Sequence, residues 1–193
     1  MPVQKPVQKE DRRIRRTKKL LRQALAELMN EKEFKDITVK EITDRADLNR
    51  GTFYFHYTDT YDLREKIEDE LISDFKEVIS SYSPTIDNYS AARMLEQAVG
   101  YMERQKFLIR TLFCNRSGDG LQTKFRYVIE DTIRKVQEQL HLEESEAMSK
   151  YRCRFASSGI IGVLNMWLMD SEGITGEVLV KCLDDMINRV IAI

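Results

Sequence analysis

Residues 38–63, TVKEITDRADLNRGTFYFHYTDTYDL, constrain the fold most, because they hold three helix starts in close succession. Thr38 is a good N-cap and Glu41, three residues on, closes a capping box, while Ile37 and Ile42 suit the N′ and N4 positions of a hydrophobic staple. A first short helix therefore starts near Val39. Val39, Ile42 and Ala46 fall on one face of it, and the helix ends at Asp47-Leu48-Asn49. Asn49 can cap a second short helix from about Arg50, with Leu48 stapled to Phe53. Phe53 and Tyr57, four apart, then face inward.

That arrangement leaves Arg50, Thr52, Tyr54, Phe55 and His56 on or beside the outward face. Two short helices crossing at a three- or four-residue turn form a helix-turn-helix, whose second helix enters the major groove. Arg donates to guanine, the Thr methyl packs on thymine, and Tyr and His donate to phosphates. Spacing alone is equally compatible with an ordinary helical hairpin carrying a polar outer face.

RGTFYFHYTDTYDL resembles the recognition-helix signature of TetR-family transcriptional regulators, and the resemblance runs over roughly residues 12 to 66. It implies that Lys40, Arg50, Thr52 and Tyr54 contact bases or their surroundings. Val39, Phe55 and His56 then lie on the phosphate side, and Phe53 and Tyr57 in the core. This chain departs from the family pattern twice. Asp47 stands where Gly is usual in the turn, and Asp tolerates a left-handed backbone better than most residues. Thr60 stands where the family places a phosphate-binding Lys, so that contact loses its charge.

The chain has 193 residues, 42% hydrophobic and 33% charged, which is enough for a sizeable core. Eight Gly and three Pro leave few breakers, favouring an all-helical protein. No run approaches a membrane span, and MPVQKPVQKEDRR lacks the apolar stretch of a signal peptide, so a cytoplasmic protein with no membrane contact is expected. Cys114, Cys153 and Cys182 form no CxxC and no metal-ligand spacing, and read as reduced thiols. The formal net charge of −1 hides an asymmetry: residues 1–22 hold nine Lys or Arg against Glu10 and Asp11. Residues 1–11 read as a disordered basic arm. The RRIRRTKK run beside them, with Arg13 and Arg16, reads as a phosphate or minor-groove grip.

Helical stripes continue along the chain. They place helices at about 13–30, 60–81, 91–104, 106–114, 121–140, 145–169 and 174–193, about nine helices in all. The expected division is a three-helix DNA-binding domain over 12–60, with the start of the fourth helix, and a helical ligand-binding and dimerisation domain over 61–193. FASSGIIGVLNMWLM carries Gly159 and Gly162 inside a helix, each costing about 1 kcal/mol against Ala, so something must approach closely there. A second copy of the chain is one such neighbour, since a helix-turn-helix gains from a second half-site. Completion of the chain's own core is the other.

The rear segment is similar to the C-terminal domain common in TetR-like regulators of low-GC Gram-positive bacteria. This implies a homodimer through the last two helices, with Ile160, Val163, Leu164, Trp167, Leu179, Cys182, Leu183, Met186 and Val190 at the interface. It also implies a small-molecule effector site, for which Met94, Tyr101, Met102, Phe107, Phe113, Phe125, Phe155 and Trp167 are the candidates. The fourth helix would be the lever between effector and DNA.

A homodimeric repressor released from a palindromic operator by its effector is the expectation. The alternative is a helical adaptor or coactivator working through a protein partner with weak DNA binding, which Thr60 favours mildly. Nothing in the residues supports an enzyme: there is no phosphate loop, no nucleophile elbow and no metal constellation, and His56 and His141 are the near-neutral bases. No cofactor is expected. His141 beside Glu143 and Glu144 lacks a second metal ligand at a sensible spacing.

Overall fold

The computed structural model describes residues 12–80, 91–113, 119–139, 145–170 and 173–191, without the side chains of Asp119, Val190 and Ile191. Residues 1–11, Cys114 and His141 lie outside this set. Among the described residues there are nine α-helices and one short 3-10 turn, and no strand. They are α1 (Arg12–Glu31), α2 (Val39–Arg45), α3 (Arg50–His56), α4 (Thr60–Ser80), α5 (Ala91–Arg104), α6 (Lys106–Phe113), α7 (Asp119–Gln139), α8 (Glu146–Met169) and α9 (Gly176–Ile191). The chain divides into two compact units inside α4, between Ile67 and Glu68. No helix among the described residues is long and apolar enough to cross a membrane.

In the first unit α2 and α3 have seven residues each, too short to be stable alone, so their ends and their buried faces must hold them. The capping box forms: Glu41 N donates to Thr38 Oγ1 at 3.3 Å, and Thr38 N donates to Glu41 Oε2 at 3.0 Å. After α2, Leu48 N donates to Thr43 O and Asp47 N to Asp44 O, the two bonds of a Schellman ending. Asp47 sits at its left-handed position with φ 53°. The turn thus survives without glycine, as the tolerance of Asp for this backbone predicts.

Asn49 Oδ1 then accepts from Thr52 N at 2.8 Å and starts α3. Caps of this kind contribute about 1 kcal/mol each, whereas burying Phe53 contributes about 1.5–3 kcal/mol. Phe53 and Ile42 are fully buried with Leu21 and Leu25 of α1, and Phe34 fills the same core. Arg45 clamps α2 to α1, donating to Glu31 through both terminal nitrogens at 2.8 and 2.9 Å.

Lys32 Nζ lies 2.6 Å from Glu41. That bond first, and the Thr38 donors second, bring the Glu41 carboxyl down from 4.5 to about 2. A carboxylate held below its unfolded value stabilises the fold above pH 4.5, and the contribution disappears as pH falls towards 2. Glu41→Gln is therefore expected to flatten the acid limb of the thermal-midpoint profile in that window, measured by circular dichroism. An unchanged limb would show that the box does not act through charge.

The second unit is built from the latter part of α4 with α5 to α9. Phe75, Phe113 and Phe125 stack edge to face at its centre, with centroids 4.7 and 5.8 Å apart about Phe125. Tyr101 is buried beside them and its hydroxyl donates to Leu71 O at 3.0 Å. Lys124 of α7 holds Glu68 at 3.3 Å and Asp69 at 2.6 Å on α4. α5 packs along α9 and α7 along α8.

Helix α8 is apolar on several sides, and among the described residues not all of them are covered. A Cβ placed on Gly159 or Gly162 would meet nothing within 4 Å among the described residues, so the close approach those glycines imply is not made there. Tyr151, Phe155, Met166 and Met169 share that outward side, 73, 71, 67 and 53% exposed.

Candidate nucleic-acid interface

The outward face of α3 is set by what its inward face buries. With Phe53 and Tyr57 in the core, a helical turn leaves Arg50, Tyr54 and Phe55 in solvent, the last two 57 and 79% exposed. Thr52 and His56 are half-buried at the flank. Thr52 Oγ1 donates to Asn49 Oδ1 at 3.2 Å, so its oxygen can still accept a hydrogen bond. Phe55 packs edge-on against His56 with centroids 4.9 Å apart. Seven residues therefore offer a guanidinium, a hydroxyl, a phenol and an exposed ring.

Arg13, Ile14 and Thr17 from the start of α1 come against Asn49, Gly51, Thr52, Phe55 and His56 to line an open groove. Arg13 is thus brought to α3, whereas Arg16 is exposed on the same turns of α1 without lining that groove. Lys40 is exposed near the start of α2. Ile14, Thr17, Asn49 and Gly51 were not singled out from sequence as surface-forming. Asn49 was legible as a cap, and Gly51 lacks the side chain that would crowd Asn49 Oδ1, 3.2 Å from a Cβ built there.

Thr60 is 7% exposed and sits in the first turn of α4. That turn is capped by Asp59, whose Oδ1 accepts from Asp62 N at 2.8 Å. A buried Thr60 offers no charge to a phosphate. Lys66, a turn and a half further along α4, is engaged with His56 O at 3.2 Å and Asp62 at 3.0 Å. The Thr58 N–H, and then Lys66, hold the Asp62 carboxyl below its usual range.

In the second unit the effector candidates part company. Met94, Met102 and Phe155 line an apolar cavity of about 430 Å3. Tyr101, Phe113, Phe125 and Trp167 are buried but do not line it, and Phe107 is exposed. Trp167 donates from Nε1 to Ile174 O at 3.1 Å and lies under Lys106. Of the interface candidates, Leu164, Trp167, Leu179 and Leu183 are buried within the chain, Ile160, Val163 and Cys182 are half-buried, and Met186 is exposed. The Val190 side chain lies outside the described residues. Among the described residues no group of His, Cys, Asp and Glu could hold a metal ion.

Comparison with known proteins agrees with this anatomy. The sequence profile of bacterial regulatory proteins of the tetR family matches residues 21–67, and that of a transcriptional regulator C-terminal region matches residues 90–189. No curated protein matches the sequence. Among solved structures, a TetR transcriptional regulator from Streptococcus agalactiae 2603V is similar with TM-score 0.67 and 23% identity, over 92% of this chain and 97% of that one. The dihydroxyacetone kinase operon activator DhaS gives TM-score 0.62 and 21% identity, over 91 and 94%. NalD, the secondary repressor of the MexAB-OprM multidrug efflux pump in Pseudomonas aeruginosa, gives TM-score 0.64 and 17% identity, over 92 and 97%. At these identities the structures speak for the fold, whereas the second profile by itself spans more than half of the chain. The matched regions are those of transcriptional regulators and not of enzymes, and the chain belongs to the tetR family of bacterial regulatory proteins.

Proposed function

We propose that the protein is a cytoplasmic homodimeric repressor that reads a palindromic operator and leaves it when a small molecule occupies the second unit. The observation that carries the reading of DNA is the outward face of α3, where Arg50, Tyr54 and Phe55 stand in solvent, with Thr52 at the flank, over a fully buried Phe53. Arg13, Arg16 and Lys40 add cations on the first unit, suited to phosphate. Lys40, Arg50, Thr52 and Tyr54 take the bases and their surroundings, and Phe55 and His56 the backbone beside them.

Dimerisation is supported by α8, whose glycines and exposed Met and aromatic side chains fit a second copy of the same helix. Of the interface candidates, Ile160, Val163, Cys182 and Met186 keep exposed surface that such contact can cover, and Ile160, Val163 and Met186 also stand on the cavity wall. Release follows from α4, which begins in the reading unit and ends with Phe75 and Ile79 on the cavity wall. Coupling of this kind changes operator affinity by about 5–150-fold.

The adaptor reading keeps one specific support, the buried Thr60 in place of a phosphate-binding cation. Purified protein incubated with sheared genomic DNA of its host at physiological salt separates the two. Recovery of a few fragments sharing a pseudo-palindrome is expected. Diffuse recovery that vanishes with added salt would mean phosphate contact without base readout, and would transfer the function to a protein partner.

A further inference from the structure

The cavity of the second unit has a wall whose chemistry selects among ligands. Its volume of about 430 Å3 falls within the usual size of small-molecule sites. Aliphatic and thioether groups such as Leu95, Met102, Ile133 and Leu164 make up nearly all of the wall, and the side chains with polar atoms in it are Thr132 and Arg189. Neither puts an unpaired charge into the cavity. Arg189 grips Asp185 with Nε at 3.1 Å and a terminal nitrogen at 3.0 Å, and stands mostly in solvent. Thr132 donates its single hydroxyl proton to Val128 O at 2.8 Å, so its oxygen can still accept a hydrogen bond but cannot give one.

A carboxylate or phosphate held inside the cavity, away from the solvent-exposed Arg189 guanidinium, is an acceptor and would find no donor. An ammonium group would find no anion. Either would give up its water without replacement. An uncharged hydroxyl or amide N–H loses little, because Thr132 can receive it.

We infer that the cavity binds an uncharged, largely apolar molecule carrying at most a hydrogen-bond donor as its polar group. The regulatory meaning of this rests on the effector reading above, while the binding rests on the wall itself. A neighbouring hollow, which shares Ile79, Met94, Thr132 and Val136 with the cavity, contains Lys76, Lys124 and Lys135. Lys124 is held by Glu68 and Asp69, and Lys135 by Asp131 at 2.8 Å. An acid whose head reached Lys76 there, or stayed in solvent beside Arg189, is the rival outcome.

The test compares 1-decanol with decanoate, which share a chain length, by displacement of the neutral dye Nile red from the full-length protein at about pH 8, where the acid is ionised. Decanol is expected to bind at least about thirtyfold more tightly. Ala98→Phe, which fills the cavity, is expected to abolish decanol binding while the helical spectrum stays unchanged. Equal or tighter binding of decanoate, or displacement by neither compound, overturns the inference. Adding operator DNA distinguishes the two levels: decanol that binds without weakening operator affinity upholds the ligand class and removes the effector reading.

Discussion

Thr52→Ala combined with Tyr54→Ala is expected to weaken operator binding by at least about a hundredfold, measured by fluorescence anisotropy at physiological salt. Each good base contact discriminates by about 1–3 kcal/mol, and a dimer loses both contacts at two half-sites. The fold should hardly notice. Tyr54 is 57% exposed and touches Phe53 edge-on, and the cap of α3 uses the Thr52 backbone N–H, which the substitution retains. Arg50, Lys40 and the α1 cations remain, so affinity for scrambled duplex should fall much less than affinity for operator. An intact operator affinity in this variant would remove α3 from the reading face.

The second large effect concerns α8. Gly162→Leu combined with Met166→Glu is expected to convert the protein to a single-chain species in sedimentation at micromolar concentration, raising the dimer dissociation constant by at least about a thousandfold. In the isolated chain these changes are harmless or better. A Cβ on Gly162 meets nothing within 4 Å, Met166 is 67% exposed, and removing a glycine from a helix interior gains about 1 kcal/mol. At a two-fold interface each change occurs twice, adding bulk where helices cross closely and burying two unpaired carboxylates. The two readings of α8 thus predict opposite signs. A variant that remains dimeric would mean that the pair meets elsewhere.

The helix-turn-helix was legible because its determinants are local. The Thr38 and Glu41 box, the Asn49 cap and the inward pair Phe53 and Tyr57 each involve residues within four positions of one another, and all stand in the structure as the spacing predicts. Helix ends agree within a few residues for the same reason: α5 covers Ala91–Arg104 as read from the pattern. Arg13 reached α3 only through the packing of α1, and Thr60 became a buried residue only once Asp59 had taken the cap of α4.

The second unit was less legible. α8 is apolar on several sides, so its periodicity cannot say which side its own chain will cover. Leu164 and Trp167 turned inward, Tyr151 and Met166 were left outside, and Phe155 is exposed at the edge of the cavity wall. Aromatic richness likewise did not distinguish a filled core from a lined cavity. Phe113 and Phe125 pack on one another, and the cavity is walled mainly by aliphatic groups that composition does not single out.

By itself, then, the amino-acid sequence determined the helices, their caps and the outward face of α3, since these depend on hydrogen bonds and side-chain spacings within a turn or two. Tertiary structure decided which apolar residues wall the cavity and which stand exposed on α8. Those outcomes depend on which faces meet across elements far apart in the chain. No local spacing encodes that meeting.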